Sequence, residues 1–102
     1  MTGLETPLFA KPLSAPWQFP EVVELHRMVV AFVDFGRLPM LFGEVVPDAD
    51  PLNLGQPPAL VWRDAINAMA ARAKLCRLAE TLLRDFSDLP AIVDAAQRVV
   101  EA

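Results

Sequence analysis

The ten prolines of this 102-residue chain constrain its fold more than any other feature. Eight of them lie in two clusters, within residues 7–20 and 47–58, and only Pro39 and Pro90 stand apart. Proline lacks a backbone N–H and interrupts a helix except in its first turn. Both clusters are therefore predicted to be non-helical, and the stretches between and after them are predicted to be helices.

Apolar residues recur every three or four positions after the first proline cluster, which indicates amphipathic helices. The first helix is predicted to begin at Pro20 or Glu21 and to end at Gly36, as a C′ glycine would end it. Its inward face comprises Val22, Leu25, Val29, Phe32 and Val33. A short helix from Leu38 to Gly43 is expected to insert three side chains into the core, namely Met40, Leu41 and Phe42.

The second half of the chain has the same periodicity. A helix that follows Pro58 has an inward stripe of Ala59, Trp62, Ile66, Met69, Ala70 and Ala73. It is predicted to pause near residues 73–74 and to resume, although a single helix over residues 59–86 is an open alternative because no strong breaker intervenes. Ser87 or Asp88 is predicted to cap the last helix, whose stripe is Leu89, Ile92, Val93, Ala96, Val99 and Val100.

These patterns predict an all-α fold, a compact bundle of four to six helices, because no segment alternates as a strand would. Residues 1–19 are predicted to form an extended, partly ordered arm, and residues 20–102 a single helical domain. The segment from Met1 to Thr6 is expected to be mobile. Five apolar residues suggest that part of the arm packs onto the domain, namely Leu8, Phe9, Leu13, Trp17 and Phe19.

Composition excludes several classes of protein. A hydrophobic fraction of 54% excludes disorder throughout, and the longest charge-free stretch is too short and too rich in proline for a membrane span. A net charge of −4 argues against a nucleic-acid partner. The single cysteine and the lack of a secretory signal favour a reducing, cytoplasmic location.

The sequence offers little for catalysis or for metal binding, so no catalytic residue, cofactor or metal site is predicted. A dyad of Cys76 with His26, the only imidazole, has little support compared with a structural role for both. Asp48 and Asp50 resemble the start of a calcium loop, but a closing acidic residue is missing and turn chemistry explains them better.

Charge alternates along the chain. Basic residues number three against seven acidic residues in 1–58, five against two in 59–84, and one against four in 85–102. Acidic and basic faces of different copies could therefore meet head to tail, whereas ordinary solvation of helices explains the same pattern. The apolar surplus separately points to an exposed patch that binds a partner.

The second half resembles a known family. Residues 59–66, with Trp62 and Asp64, a "Leu-x-x-Leu" helix in residues 70–83, and the junction Phe86-Ser87-Asp88-Leu89-Pro90 are similar to effector-associated domains of bacterial conflict systems. The resemblance covers about residues 20–102 and implies a death-fold-like adaptor. Such an adaptor pairs with similar domains on peptidase, TIR or signalling-ATPase effectors, and it can form homo-oligomers.

On this hypothesis the domain is not an enzyme, and association uses two charged faces. The predicted basic face comprises Arg72, Lys74, Arg77 and Arg84. The predicted acidic face comprises Glu21, Glu24, Asp34 and Glu44. Two alternatives remain open: a helical regulatory or structural subunit that binds an unrelated protein through its apolar surface, including the arm from Leu8 to Phe19, and a small hydrolase or ligand-binding domain.

Overall fold

The computed structural model describes residues 8–102, so the mobility predicted for Met1 to Thr6 lies outside the described residues. Five α-helices and three short 3₁₀ turns account for most of this part of the chain, and it contains no strand. The helices are α1 (Pro20–Phe32), α2 (Leu38–Val45), α3 (Pro58–Ala71), α4 (Leu75–Asp85) and α5 (Pro90–Glu101). The prediction of an all-α bundle is confirmed. None of the described helices is long and apolar enough to cross a membrane.

Proline opens four of the five helices. Pro20, Pro58 and Pro90 are the first residues of α1, α3 and α5, and Pro39 is the second residue of α2. The first turn of a helix suits proline because its N–H groups have no partner within the helix and its fixed φ is already helical. The predicted start of the first helix at Pro20 or Glu21 is confirmed.

The helical conformation is interrupted between α3 and α4. The second half of the chain therefore forms two helices and not the single long helix that was left open. Ala73 has φ of 60°, in the left-handed region. Lys74 N donates to Met69 O (2.8 Å) and Ala73 N donates to Ala70 O (3.2 Å). These two hydrogen bonds form a Schellman motif, in which glycine usually occupies the position held here by alanine.

Two predicted helix ends are wrong. The first helix ends at Phe32, and the next residue, Val33, is extended (φ −92°, ψ 127°) and buried. Gly36 instead lies in a 3₁₀ turn with negative φ, so it is not a C′ glycine. The last helix starts directly at Pro90 without a side-chain cap from Ser87 or Asp88.

Two predicted core residues are exposed. Phe32 is 51% exposed and Met40 is 72% exposed, whereas Leu41 and Phe42, which follow Met40 in the chain, are buried as predicted. Because α2 runs on to Val45, its buried face is the stripe Leu38, Leu41, Phe42 and Val45. Met40 falls outside this stripe and faces solvent.

The core includes the first described residues. Its largest fully buried side chain belongs to Trp62 of α3, a helix that packs against α1, α2 and α4. Phe9 is also fully buried and meets Phe19 edge to face at 5.4 Å between ring centroids. Leu13 N donates to Ala70 O (2.9 Å). Residues 8–19 therefore pack as part of the domain, and the packing predicted for part of the arm is confirmed.

Candidate interaction surfaces

The only histidine holds the arm against two helices. His26 Nε2 lies 2.8 Å from Ala59 O, and it must be the protonated ring nitrogen because a carbonyl can only accept. Its ring meets Trp17 edge to face at 5.2 Å. Trp17 Nε1 in turn donates to Asn67 Oδ1 (2.7 Å), and the Arg63 guanidinium lies 5.2 Å from the centre of the indole ring. These polar groups join the arm to α1 and α3.

Cys76 is half-buried at the start of α4. Burial and the nearby Glu80 carboxylate raise the pKa of its thiol. A nucleophilic cysteine needs the opposite shift, because the thiolate is the reactive form. Among the described residues, the hydrogen bond of His26 is made to Ala59 and none joins it to Cys76.

The loop carboxylates lie in a segment built from turns. Asp48 and Asp50 are exposed, and neither forms an ion pair within the described residues. Asn53 Oδ1 accepts a hydrogen bond from Gly55 N (3.1 Å), the local bonding typical of an Asx turn. Residues 8–102 contain no group of three or more His, Cys, Asp or Glu that could hold a metal ion.

Three of the four residues of the predicted basic face cluster at one turn. Arg72 and Lys74 lie in the link between α3 and α4, and Arg77 lies in the first turn of α4. All three are exposed, and none pairs with a carboxylate of the described residues. We call Arg72, Lys74 and Arg77 the basic turn.

The fourth basic residue is bonded within the chain. Arg84 Nη2 donates to Glu44 Oε2 (2.7 Å), and Arg84 Nε donates to Asp85 Oδ1 (2.9 Å). The hydrogen bonds to Asp85 and to Glu44 raise the pKa of Arg84, and the hydrogen bond from Arg84 lowers the pKa of Asp85. Arg84 and Glu44, predicted on opposite faces of an interface, thus bond each other in the isolated chain and join α4 to α2. Their role in association stays a prediction.

The remaining predicted acidic residues are spread along α1. Glu21 and Glu24 line a shallow depression with Arg98 and Glu101 of α5, and Glu24 lies 3.6 Å from Arg27. Asp34 lies just beyond the other end of α1. At the rise of an α-helix, it is about 20 Å from Glu21. The acidic residues predicted from the sequence do not form one compact patch.

A groove that the sequence analysis did not predict lies beside α2. It has a volume of about 290 Å³ and is lined by Pro39, Phe42, Gly43, Val46, Pro47, Ala49, Pro51, Leu52 and Leu54. Met40 lies three residues before Gly43, so the two are neighbours on the helix surface. We call these residues, with Met40, Asp48 and Asp50, the loop groove. Its signal in the sequence is the i, i+3, i+4, i+7 spacing of residues 39, 42, 43 and 46, which extends one largely apolar face of α2 to the residue that follows the helix.

Comparisons with known protein families, with curated proteins and with solved structures found no match to this chain.

Proposed function

We propose that this chain is a non-catalytic interaction domain that associates with similar domains and so recruits or clusters an effector in a bacterial defence or signalling system. The observation that carries the proposal is the basic turn. Arg72, Lys74 and Arg77 place three exposed cations within six residues, without a carboxylate partner among the described residues. Such a charge cluster suits recognition of an acidic protein surface.

The use of the polar residues supports a non-catalytic role. His26 is bonded to a backbone carbonyl, and the pKa of Cys76 is shifted away from reactivity. Catalytic groups instead have shifts matched to their task and converge in a cleft. The resemblance to effector-associated domains supports the same role, since those domains act by association while the chemistry belongs to another domain.

A second candidate function is a regulatory or structural subunit that binds an unrelated protein through its apolar surface. The loop groove favours it, because Leu54, which lines the apolar depression, is 47% exposed, and Met40, three residues before the lining residue Gly43, is 72% exposed. The arm cannot be tested by deleting residues 1–19, because that deletion would remove Phe9 from the core. Substitutions at the loop groove test this candidate instead.

Sedimentation velocity tests the proposal. We expect the sedimentation coefficient to rise with protein concentration from the micromolar to the millimolar range, and less so at high salt, because about 1 M salt shortens the screening length to about 3 Å. The double variant K74E/R77E should weaken association. Arg84 is left unchanged in this test because it is already bonded to Glu44 and Asp85.

The matched control is R27E/R98E, which changes the net charge equally at two exposed arginines away from the basic turn. It should associate as the natural chain does, and its helicity should fall only slightly, because the ion pairs it removes, Arg27 with Glu24 and Arg98 with Asp94, are exposed. A natural chain that stays monomeric throughout the concentration series would contradict homotypic association.

A further inference from the structure

The loop groove and the basic turn carry opposite charges, and the charged side chains of both form no ion pair within the described part of the chain. Asp48 and Asp50 alternate with the lining residues Pro47, Ala49 and Pro51, so two exposed carboxylates border the apolar groove. Neither forms an ion pair among the described residues. An apolar depression with an acidic rim suits a partner that is basic and partly apolar.

The same chain offers such a surface at the basic turn. Beside Arg72 lies a shallow depression of about 310 Å³ lined by Pro12, Leu13, Ser14 and Ala71, most of whose lining is apolar. The basic turn therefore combines a small apolar depression with three cations that form no ion pair among residues 8–102, although Arg72 Nη1 donates a hydrogen bond to Ala68 O (3.3 Å). The loop groove in turn presents Met40, a flexible apolar side chain of the kind that adapts to irregular surfaces.

The two surfaces lie at opposite ends of the α3–α4 hairpin. The loop groove ends at Leu54, four residues before α3 begins, and the basic turn follows the end of α3. A helix of 14 residues separates the two ends by about 20 Å at 1.5 Å per residue. The bond between Glu44 of α2 and Arg84 near the end of α4 places α2 at the same end as the loop groove. One copy can therefore use both surfaces at once.

We propose that the loop groove of one copy binds the basic turn of a second copy, so that copies of this chain associate head to tail. This inference rests on the proposed homotypic association and names its contact surfaces. It replaces the acidic residues of α1 by Asp48 and Asp50 as the partner of the basic turn. Because the two surfaces differ, the contact is heterologous, and repeated contacts build a ring or an open filament.

A charge exchange tests the contact. We expect D48K/D50K alone and K74E/R77E alone each to raise the dissociation constant of self-association by at least about tenfold, because each places like charges opposite one another. The quadruple variant D48K/D50K/K74E/R77E restores opposite charges across the contact and keeps the net charge of −4. It should associate within about threefold of the natural chain, which corresponds to less than about 1 kcal/mol.

The matched control is E21K/E24K, which changes the net charge as D48K/D50K does but alters the acidic residues of α1. It should leave the dissociation constant within about threefold of the natural value. All four positions exchanged at the contact are exposed, so unchanged far-UV circular dichroism and thermal midpoints should show that each variant folds.

The outcomes separate this inference from the proposed function. If the natural chain associates and the quadruple variant does not recover, the loop groove and the basic turn do not contact each other, and homotypic association stands on other surfaces. If E21K/E24K weakens association while D48K/D50K does not, the acidic partner lies on α1 and the inference is wrong. If the natural chain never associates, both the inference and the proposed function fail.

Discussion

Ala73 gives a direct test of how the α3–α4 hairpin is held. Its φ of 60° places an alanine where a Schellman motif normally has glycine. The left-handed conformation costs an L-residue about 1–2 kcal/mol in the folded state. Replacing alanine by glycine removes this cost, but it increases the conformational entropy of the unfolded chain, which favours unfolding by about 0.4–1 kcal/mol. Taken at the middle of both ranges, the difference predicts that Ala73→Gly stabilises the domain by about 0.8 kcal/mol.

Urea denaturation followed by far-UV circular dichroism measures this difference. The midpoint should rise with an unchanged slope, and the thermal midpoint should rise by about 3–6 °C for a domain of this size. The control is Ala71→Gly, two residues earlier and within α3, where glycine should destabilise by up to about 1 kcal/mol. If Ala73→Gly is no more stable than the natural chain while Ala71→Gly loses stability, the strain argument at Ala73 is refuted.

Three further predictions follow from burial and ionisation. Phe9→Ala should destabilise the domain by about 3–5 kcal/mol, because Phe9 is fully buried. Met40 is exposed, so the free energy of unfolding of Met40→Ala should stay within about 0.5 kcal/mol of that of the natural chain. Urea denaturation measures both values. Glu80→Gln removes one of the two causes of the raised pKa of Cys76, so iodoacetamide should alkylate the folded variant faster than the natural chain at pH 8; an unchanged rate would contradict that cause. The hydrogen bond from Arg84 lowers the pKa of Asp85, so its contribution to stability is present above the unfolded carboxyl pKa and is lost as the pH falls below about 4. Asp85→Asn should therefore flatten the fall of the thermal midpoint between about pH 5 and pH 2, and an unchanged profile would count against this bond.

The helix starts were predictable because proline determines its own dihedral angle. Pro20, Pro39, Pro58 and Pro90 act locally, so their effect can be seen in the sequence without knowledge of the core. Helix ends were less predictable. Gly36 suggested that α1 ends at residue 36. The helix ends earlier, at Phe32, because Val33 is extended and its side chain packs into the core.

The buried faces of the helices also differed in how well the sequence predicted them. The buried stripes of α3 and α5 were predicted in part, because their periodicity identified fully buried residues such as Trp62 and Ile92. The prediction missed three further buried residues of these helices, namely Val61, Ala65 and Ala95. In α2 nearly every residue is apolar, so periodicity could not separate Met40 from Leu41. The break at Ala73 could only be suggested, since no glycine or proline marks it.

The sequence predicted a candidate surface correctly only where residues that lie close together in space are also close in the chain. Charge along the sequence identified Arg72, Lys74 and Arg77, which lie close together because they are close in the chain. It also grouped Arg84 with them and Glu44 against them, although these two side chains bond each other across the fold. The loop groove combines α2 with a loop whose conformation no periodic pattern describes.

The packing of α1 against α5 has a consequence for synthesis of the chain. The first residues of these helices are 70 positions apart, so at about 5–20 residues per second α5 follows α1 from the ribosome after about 4–14 s. During that time the apolar residues Val22, Leu25 and Val29 lack part of the surface that finally covers them. A translational pause before Pro90 would prolong this interval and increase the demand for a chaperone.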